Sequence, residues 1–242
     1  SPVVLKCENL QHTGSFKARG AVSKVLSLSP EELERGVITA STGNHGAAVA
    51  YAGSIVGVAP VVVVPDNANP SKLAAIDRLG GRIEVQGSDS VESELGARRA
   101  ADERGMTFIS PYNDPAIIGG QGTLGLELLD QVDDLAAVFV AVGGGGLSSG
   151  VAGIIKSASP STRVIGCSPA NSAVMYHSLK AGQILDLPSD PTLSDGTAGG
   201  VEPGAITFDI LDDLLDDFVV VDEDAIREAF LELIEVEHLL VE

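Results

Sequence analysis

The chain has 242 residues, 44% hydrophobic and 20% charged, enough to bury a large core in one or two domains. Its 34 acidic side chains against 15 Lys and Arg give a formal net charge of -19 at pH 7, which excludes a phosphate-backbone footprint for nucleic acid. No apolar run is long enough to span a bilayer and no basic-then-apolar leader opens the chain, so a soluble, cytoplasmic protein with no membrane partner is expected.

Strand and helix patterns alternate along the whole chain, the mark of a parallel α/β architecture. A strand expected at 3–6 is followed by a helix at 16–28, a strand at 37–40 and a helix at 46–56. Next come a strand at 61–64, a helix at 71–79, a strand at 82–85, a helix at 90–103 and a strand at 107–109. The remainder reads as a helix at 120–131, strands at 138–142, 164–167 and 218–221, and a helix at 224–236, with Val151, Ile154 and Ile155 at helical spacing after the first of these strands. Pro65-Asp66-Asn67, Gly80-Gly81 and the Pro-rich stretch 187–191 mark turns. Cys7 and Cys167, in or beside apolar runs, read as reduced thiols and not as a disulfide framework. Acidic residues thicken toward the C-terminus (Asp212, Asp213, Asp216, Asp217, Asp222, Glu223, Asp224), which costs self-repulsion that salt screens and points to a halophilic source.

Three segments carry chemistry. Gly14-Ser15-Phe16-Lys17-Ala18-Arg19-Gly20 places a lysine beside an aromatic ring at a strand-to-helix corner, where an amine can be desolvated enough to act as nucleophile or base. In Ser41-Thr42-Gly43-Asn44-His45-Gly46 an apolar run stops and an Ala-rich helix begins, so free backbone N–H groups and small hydroxyls face an incoming carboxylate or phosphate. Gly143, Gly144, Gly145 and Gly146 follow a buried-strand pattern and precede a helix, which lets backbone approach a phosphate with no Cβ in the way. A dinucleotide turn would need a third glycine where Ser148 stands and an acid at the end of the next strand, where the chain reads Ser168-Pro169. The reading is a single phosphate.

Together these segments resemble the fold-type II pyridoxal-phosphate enzymes, in particular the branch of threonine/serine dehydratases (ammonia-lyases) and serine racemases. The match also takes in Lys6-Cys7-Glu8-Asn9-Leu10-Gln11, Pro111-Tyr112-Asn113-Asp114-Pro115 leading to Gly120-Gln121-Gly122-Thr123, and Ser194-Asp195-Gly196, in the family's order over nearly the whole chain. The resemblance implies a tryptophan synthase β-like fold of two three-layer, parallel-sheet domains: a discontinuous large domain at 1–35 and 113–242 that binds the cofactor, and a small inserted domain at 36–112. It implies pyridoxal 5'-phosphate joined to Lys17, with Phe16 against the ring and Asn44 bonded to its O3'. It further implies the phosphate on Gly143, Gly144, Gly145, Gly146 and Leu147, and a substrate carboxylate on Ser41, Thr42, Gly43 and His45. Lys17 and Thr42 are the catalytic candidates.

The activity implied is dehydration and deamination of L-threonine, and of L-serine, to 2-oxobutyrate or pyruvate plus ammonia, within amino-acid metabolism of the isoleucine-producing kind. Asn44 as a plain helix cap and His45 as a loop histidine are the structural alternatives. Serine racemases carry a second serine where Thr42 stands, which weakens racemisation without removing it. Their divalent-cation acids fall at Ser168 and Val174 here, so no metal is expected. The alternatives are a racemase, a 3-hydroxyaspartate dehydratase, and a cofactor-free relative acting as a binding module. Against the family's usual length the chain looks truncated at both ends, and a full-length form would be a homodimer or homotetramer.

Overall fold

The computed structural model describes residues 3–241; Ser1, Pro2 and Glu242, which the expected domain ranges include, lie outside the described residues. The chain divides into two compact units: an inserted unit, Leu10–Pro111, and a flanking unit made of Ser1–Asn9 and Tyr112–Glu242. Residues 10–35, expected with the large domain, fall in the inserted unit, because α1 (Lys17–Leu26) lies against α3 (Asn44–Val56) through Ala18, Gly20, Ala21 and Val25.

The inserted unit is a parallel four-stranded sheet in the order β3-β2-β1-β4, formed by β1 (Val37–Ala40), β2 (Val61–Val64), β3 (Arg82–Val85) and β4 (Thr107–Phe108). β2 is four consecutive buried valines, as expected of a strand covered on both faces. Ile38, Val61 and Val63 pack against Ala97, Ala100 and Ala101 of α5 (Ser90–Arg104). Val62 and Val64 pack on the other face against Ala50 of α3 and Ile76 of α4 (Pro70–Arg78). The result is three layers. A short helix, α2 (Pro30–Arg35), opens with a capping box in which the Ser29 hydroxyl accepts from Glu32 N and the Glu32 carboxylate accepts from Ser29 N.

The flanking unit holds a parallel three-stranded sheet, β5-β6-β7, of β5 (Ala137–Ala141), β6 (Arg163–Pro169) and β7 (Asp217–Val221). One face, Val138, Val140 and Val164, is covered by α6 (Pro115–Gln131) and α7 (Gly146–Ala158). On the opposite face Phe139 is 67% and Val219 41% exposed. The same unit also holds the helices α8 (Val174–Ala181), α9 (Ile206–Leu214) and α10 (Glu223–Glu235). The strand expected at 3–6 is not formed. Val3, Val4 and Leu5 are exposed and lie in neither sheet, and a strand without a partner is not stable. That segment is tied instead through Lys6, whose ammonium pairs with Glu127 at 2.5 Å.

Candidate active site

In the inserted unit the chain enters α1 through a turn in which Gly14, at φ +75°, donates its N–H to Gln11 O. Lys17 is the first residue of the helix. Its ammonium donates to Pro111 O at 2.9 Å and stands 5.3 Å from the Phe16 ring centroid. Burial brings the amine from its ordinary 10.5 down to about 8.

The carbonyls that leave β4 organise this corner. Ile109 O accepts the Thr39 hydroxyl at 2.8 Å and lies 3.1 Å from His45 Nε2, which therefore carries the proton. His45 is 4% exposed. Burial first, then the Lys17 charge, holds the ring at a pKa of about 3 against the opposing pull of Ile109 O, so the ring is neutral. Ser41 Oγ accepts from Gly43 N at 3.2 Å, and Gly43 caps α3 without a side-chain bond. The first N–H groups of α3, from Asn44 onward, thus begin just after the turn held by the Ser41 hydroxyl. A Cβ at Gly46 would lie 2.5 Å from Ser41 O, which explains why that position is glycine.

In the flanking unit the glycines that end β5 form a close-fitting loop. A Cβ on Gly144 would stand 2.5 Å from the Tyr112 ring, and one on Gly146 2.9 Å from Tyr112 Cα. Gly145 adopts φ +89° at the N-cap of α7. Ser148 Oγ donates to Gly145 O at 3.1 Å, while Ser149 Oγ, in a residue 2% exposed, has no hydrogen-bond partner among the described residues. Among those residues, too, nothing accepts the N–H of Gly143, Gly144, Gly145 or Gly146. Thr207, whose hydroxyl donates to Gly144 O, and Tyr112 also pack on this loop; Tyr112 stands within a matched motif, and Thr207 carries no local signal.

Each unit, taken by itself, offers donors that suit one part of pyridoxal phosphate. A desolvated amine near neutrality suits its aldehyde, and free N–H groups at a helix start suit its phosphate. The buried Ser15 and Ser149 hydroxyls, one near each motif, have no hydrogen-bond partner among the described residues.

A family model described as pyridoxal-phosphate dependent enzyme matches residues 1–242. The chain is 42% identical over 241 residues to an L-threonine ammonia-lyase of Geobacter sulfurreducens, covering 100% of this chain and 60% of that one. An L-threonine ammonia-lyase of Thermotoga maritima is 43% identical over 233 residues, covering 96% and 58%. Among solved structures, the processed form of threonine deaminase isoform 2 from Solanum lycopersicum superposes with a TM-score of 0.94 at 38% identity, covering 97% of this chain and 68% of that one. Maize serine racemase gives 0.92 at 38%, covering 97% and 70%. The chain therefore spans about 60% of the length of the curated relatives it matches. With the lysine corner, the helix-start loop and the glycine loop all formed, the chain belongs to the pyridoxal-phosphate dependent enzymes, on the branch that holds threonine ammonia-lyases and serine racemases.

Proposed function

We propose that this chain carries the catalytic groups of a pyridoxal-phosphate lyase that converts L-threonine, and L-serine, to 2-oxobutyrate or pyruvate plus ammonia. The observation that carries the reading is the Lys17 amine, taken out of water at the first residue of α1 and brought to about 8. The relatives named L-threonine ammonia-lyase support the choice of substrate. When bound, the cofactor supplies an aldehyde for amines and an electron sink that acidifies the Cα–H of the amino acid.

The chain's own groups do the rest. Lys17 Nζ would hold the cofactor and, as a free amine, would accept the Cα proton. Gly143, Gly144, Gly145, Gly146 and Leu147 hold the phosphate through main-chain N–H groups at the start of α7. Phe16 packs by the ring, and Asn44 orients it. Ser41, Thr42, Gly43 and the first turn of α3 take the carboxylate. In this reading His45 contributes its peptide N–H and its neutral bulk, since its ring N–H is engaged by Ile109 O. The β-hydroxyl leaves as water, that water is restored in hydrolysis, and the net change is loss of ammonia.

The surrounding reading is an acidic cytoplasmic enzyme of isoleucine-type metabolism from a salt-rich habitat, working as a homodimer or homotetramer. Its support is the charge of -19 and the lack, among the described residues, of a helix long and apolar enough to cross a membrane. A racemase is the second reading, favoured by the likeness to maize serine racemase and weakened, though not removed, by Thr42 at the position of the racemases' second serine.

Both are tested on the cofactor-loaded protein given L-threonine or L-serine. Oxo acid and ammonia in equal amounts are expected; D-serine formed as fast as pyruvate would favour the racemase. Borohydride reduction and peptide mapping should place the pyridoxyl label on Lys17, and a label on another lysine would overturn the assignment.

A further inference from the structure

We infer that two buried hydroxyls, those of Thr207 and Ser168, are positioning residues that preset the glycine loop to receive a phosphate; the inference rests on the reading that this loop takes one. Thr207, the second residue of α9, is 0% exposed and donates to Gly144 O at 2.7 Å. Ser168, 3% exposed near the end of β6, donates to Val142 O at 2.6 Å.

In a trans peptide the C=O and the following N–H point to opposite sides, and no peptide here is cis. Each hydroxyl that draws a carbonyl back therefore turns the next N–H away from itself. Ser168 fixes Gly143 N–H in this way, and Thr207 fixes Gly145 N–H. Gly145 O is taken by Ser149 N at 2.9 Å and by the Ser148 hydroxyl, which turns Gly146 N–H outward from α7. Three of the four glycine N–H groups are thereby set in direction by bonds on the far side of their own peptides.

The brace itself is anchored. Ile206 N donates to Asn113 Oδ1 at 3.0 Å, and Glu202 N donates to the hydroxyl of Tyr112, whose ring lies against Gly144. Without such anchors a four-glycine run samples many conformations, and ordering it on binding would cost affinity. A fixed loop spares the anion that cost. Ser168 occupies the place where the racemase pattern has a metal-binding acid, and here its hydroxyl is committed to Val142.

The test separates phosphate recognition from general damage by comparing pyridoxal phosphate with pyridoxal, which lacks the phosphate. Affinities of the 242-residue chain for both are measured by absorbance titration, for wild type, Thr207→Val, Thr207→Ser and Ser168→Ala. Wild type should prefer pyridoxal phosphate. Thr207→Val should weaken pyridoxal phosphate by about fivefold to tenfold, the scale of one lost hydrogen bond, and leave pyridoxal within about twofold. Thr207→Ser should restore binding, and inorganic phosphate should compete less well against the Val variant than against wild type.

Equal weakening of both ligands, or no change, would overturn the positioning role. Should Thr207→Val fail to fold, Ser168→Ala carries the same selective expectation at the neighbouring peptide and decides the case. A wild type that binds both ligands equally, or neither, would defeat the phosphate reading of the loop itself.

Discussion

Lys17 is set apart from the other lysines by what surrounds it. Lowering its pKa from 10.5 to about 8 makes the neutral, nucleophilic fraction at pH 7 roughly 300-fold larger. The rate at which the protein captures pyridoxal should therefore climb about tenfold per pH unit below 8 and level off above it. Stopped-flow absorbance checks this, and Lys17→Ala should abolish the signal. The same depression acts on stability. Between about 8 and 10.5 the unfolded chain binds a proton that the folded, cofactor-free chain does not, so stability rises with pH across that window. His45 behaves alike at lower pH. Its folded value of about 3 lies below the ordinary 6.5, so stability is lost as pH falls from 6.5 toward 3. His45→Gln, which keeps a donor for Ile109 O and does not titrate, should flatten that acid limb in urea melts at pH 7 and 4.5.

Among the elements, α7 and β6 are tied by one carboxylate just ahead of β7. Asp216 accepts Lys156 Nζ and Val164 N, both at 2.6 Å, and the Lys156 bond leads in holding its pKa below the usual carboxylate range. Its stabilisation is present above the ordinary carboxylate pKa and lost as pH falls through the lowered one. Asp216→Asn should lower the melting temperature at pH 7, and the gap to wild type should close as the buffer is taken into that acid range. The capping box on α2 makes a smaller claim: Ser29→Ala should cost about 1 kcal/mol by urea melt.

What the sequence reveals at this scale follows from how local each cause is. The ends of β1, β2 and β3 were legible because stretches rich in β-branched residues give way to Ser41, Pro65 and Gln86-Gly87. Helix α6 begins at Pro115, five residues ahead of the expected start, because Asp114 caps it through Ala116 N and Ile117 N. That cap, like the Ser29 box, is made by residues adjacent in the sequence. Helices α8 and α9 were not expected, since their apolar residues answer to the cluster of Val142, Met175, Val201 and Leu211, assembled from distant stretches. The lysine, the helix-start loop and the glycines were legible as contiguous motifs. Thr207 was not, because its partner Gly144 is 63 positions away.

At the scale of the whole molecule, charge is the leading feature. Net -19 with seven acids between 212 and 224 stores repulsion that counterions relieve. Raising KCl from about 0.1 M to about 1 M shortens the screening distance from roughly 10 Å to 3 Å. The melting temperature should then rise by at least about 3 °C, equivalent to about 1 kcal/mol for a chain of this size. A flat or falling response would remove the electrostatic account of the composition.

The ring that seats the glycine loop also makes the protein its own optical reporter. The chain has no Trp and only three Tyr, so its near-ultraviolet circular dichroism comes from few chromophores. Tyr112 is one of them, with its ring against Gly144 and its hydroxyl bonded to Glu202 N. An anion settling on that loop should perturb this chromophore. Titrating inorganic phosphate should therefore change the tyrosine dichroism in wild type and leave the Tyr112→Leu spectrum still, giving occupancy of the loop without cofactor, substrate or turnover.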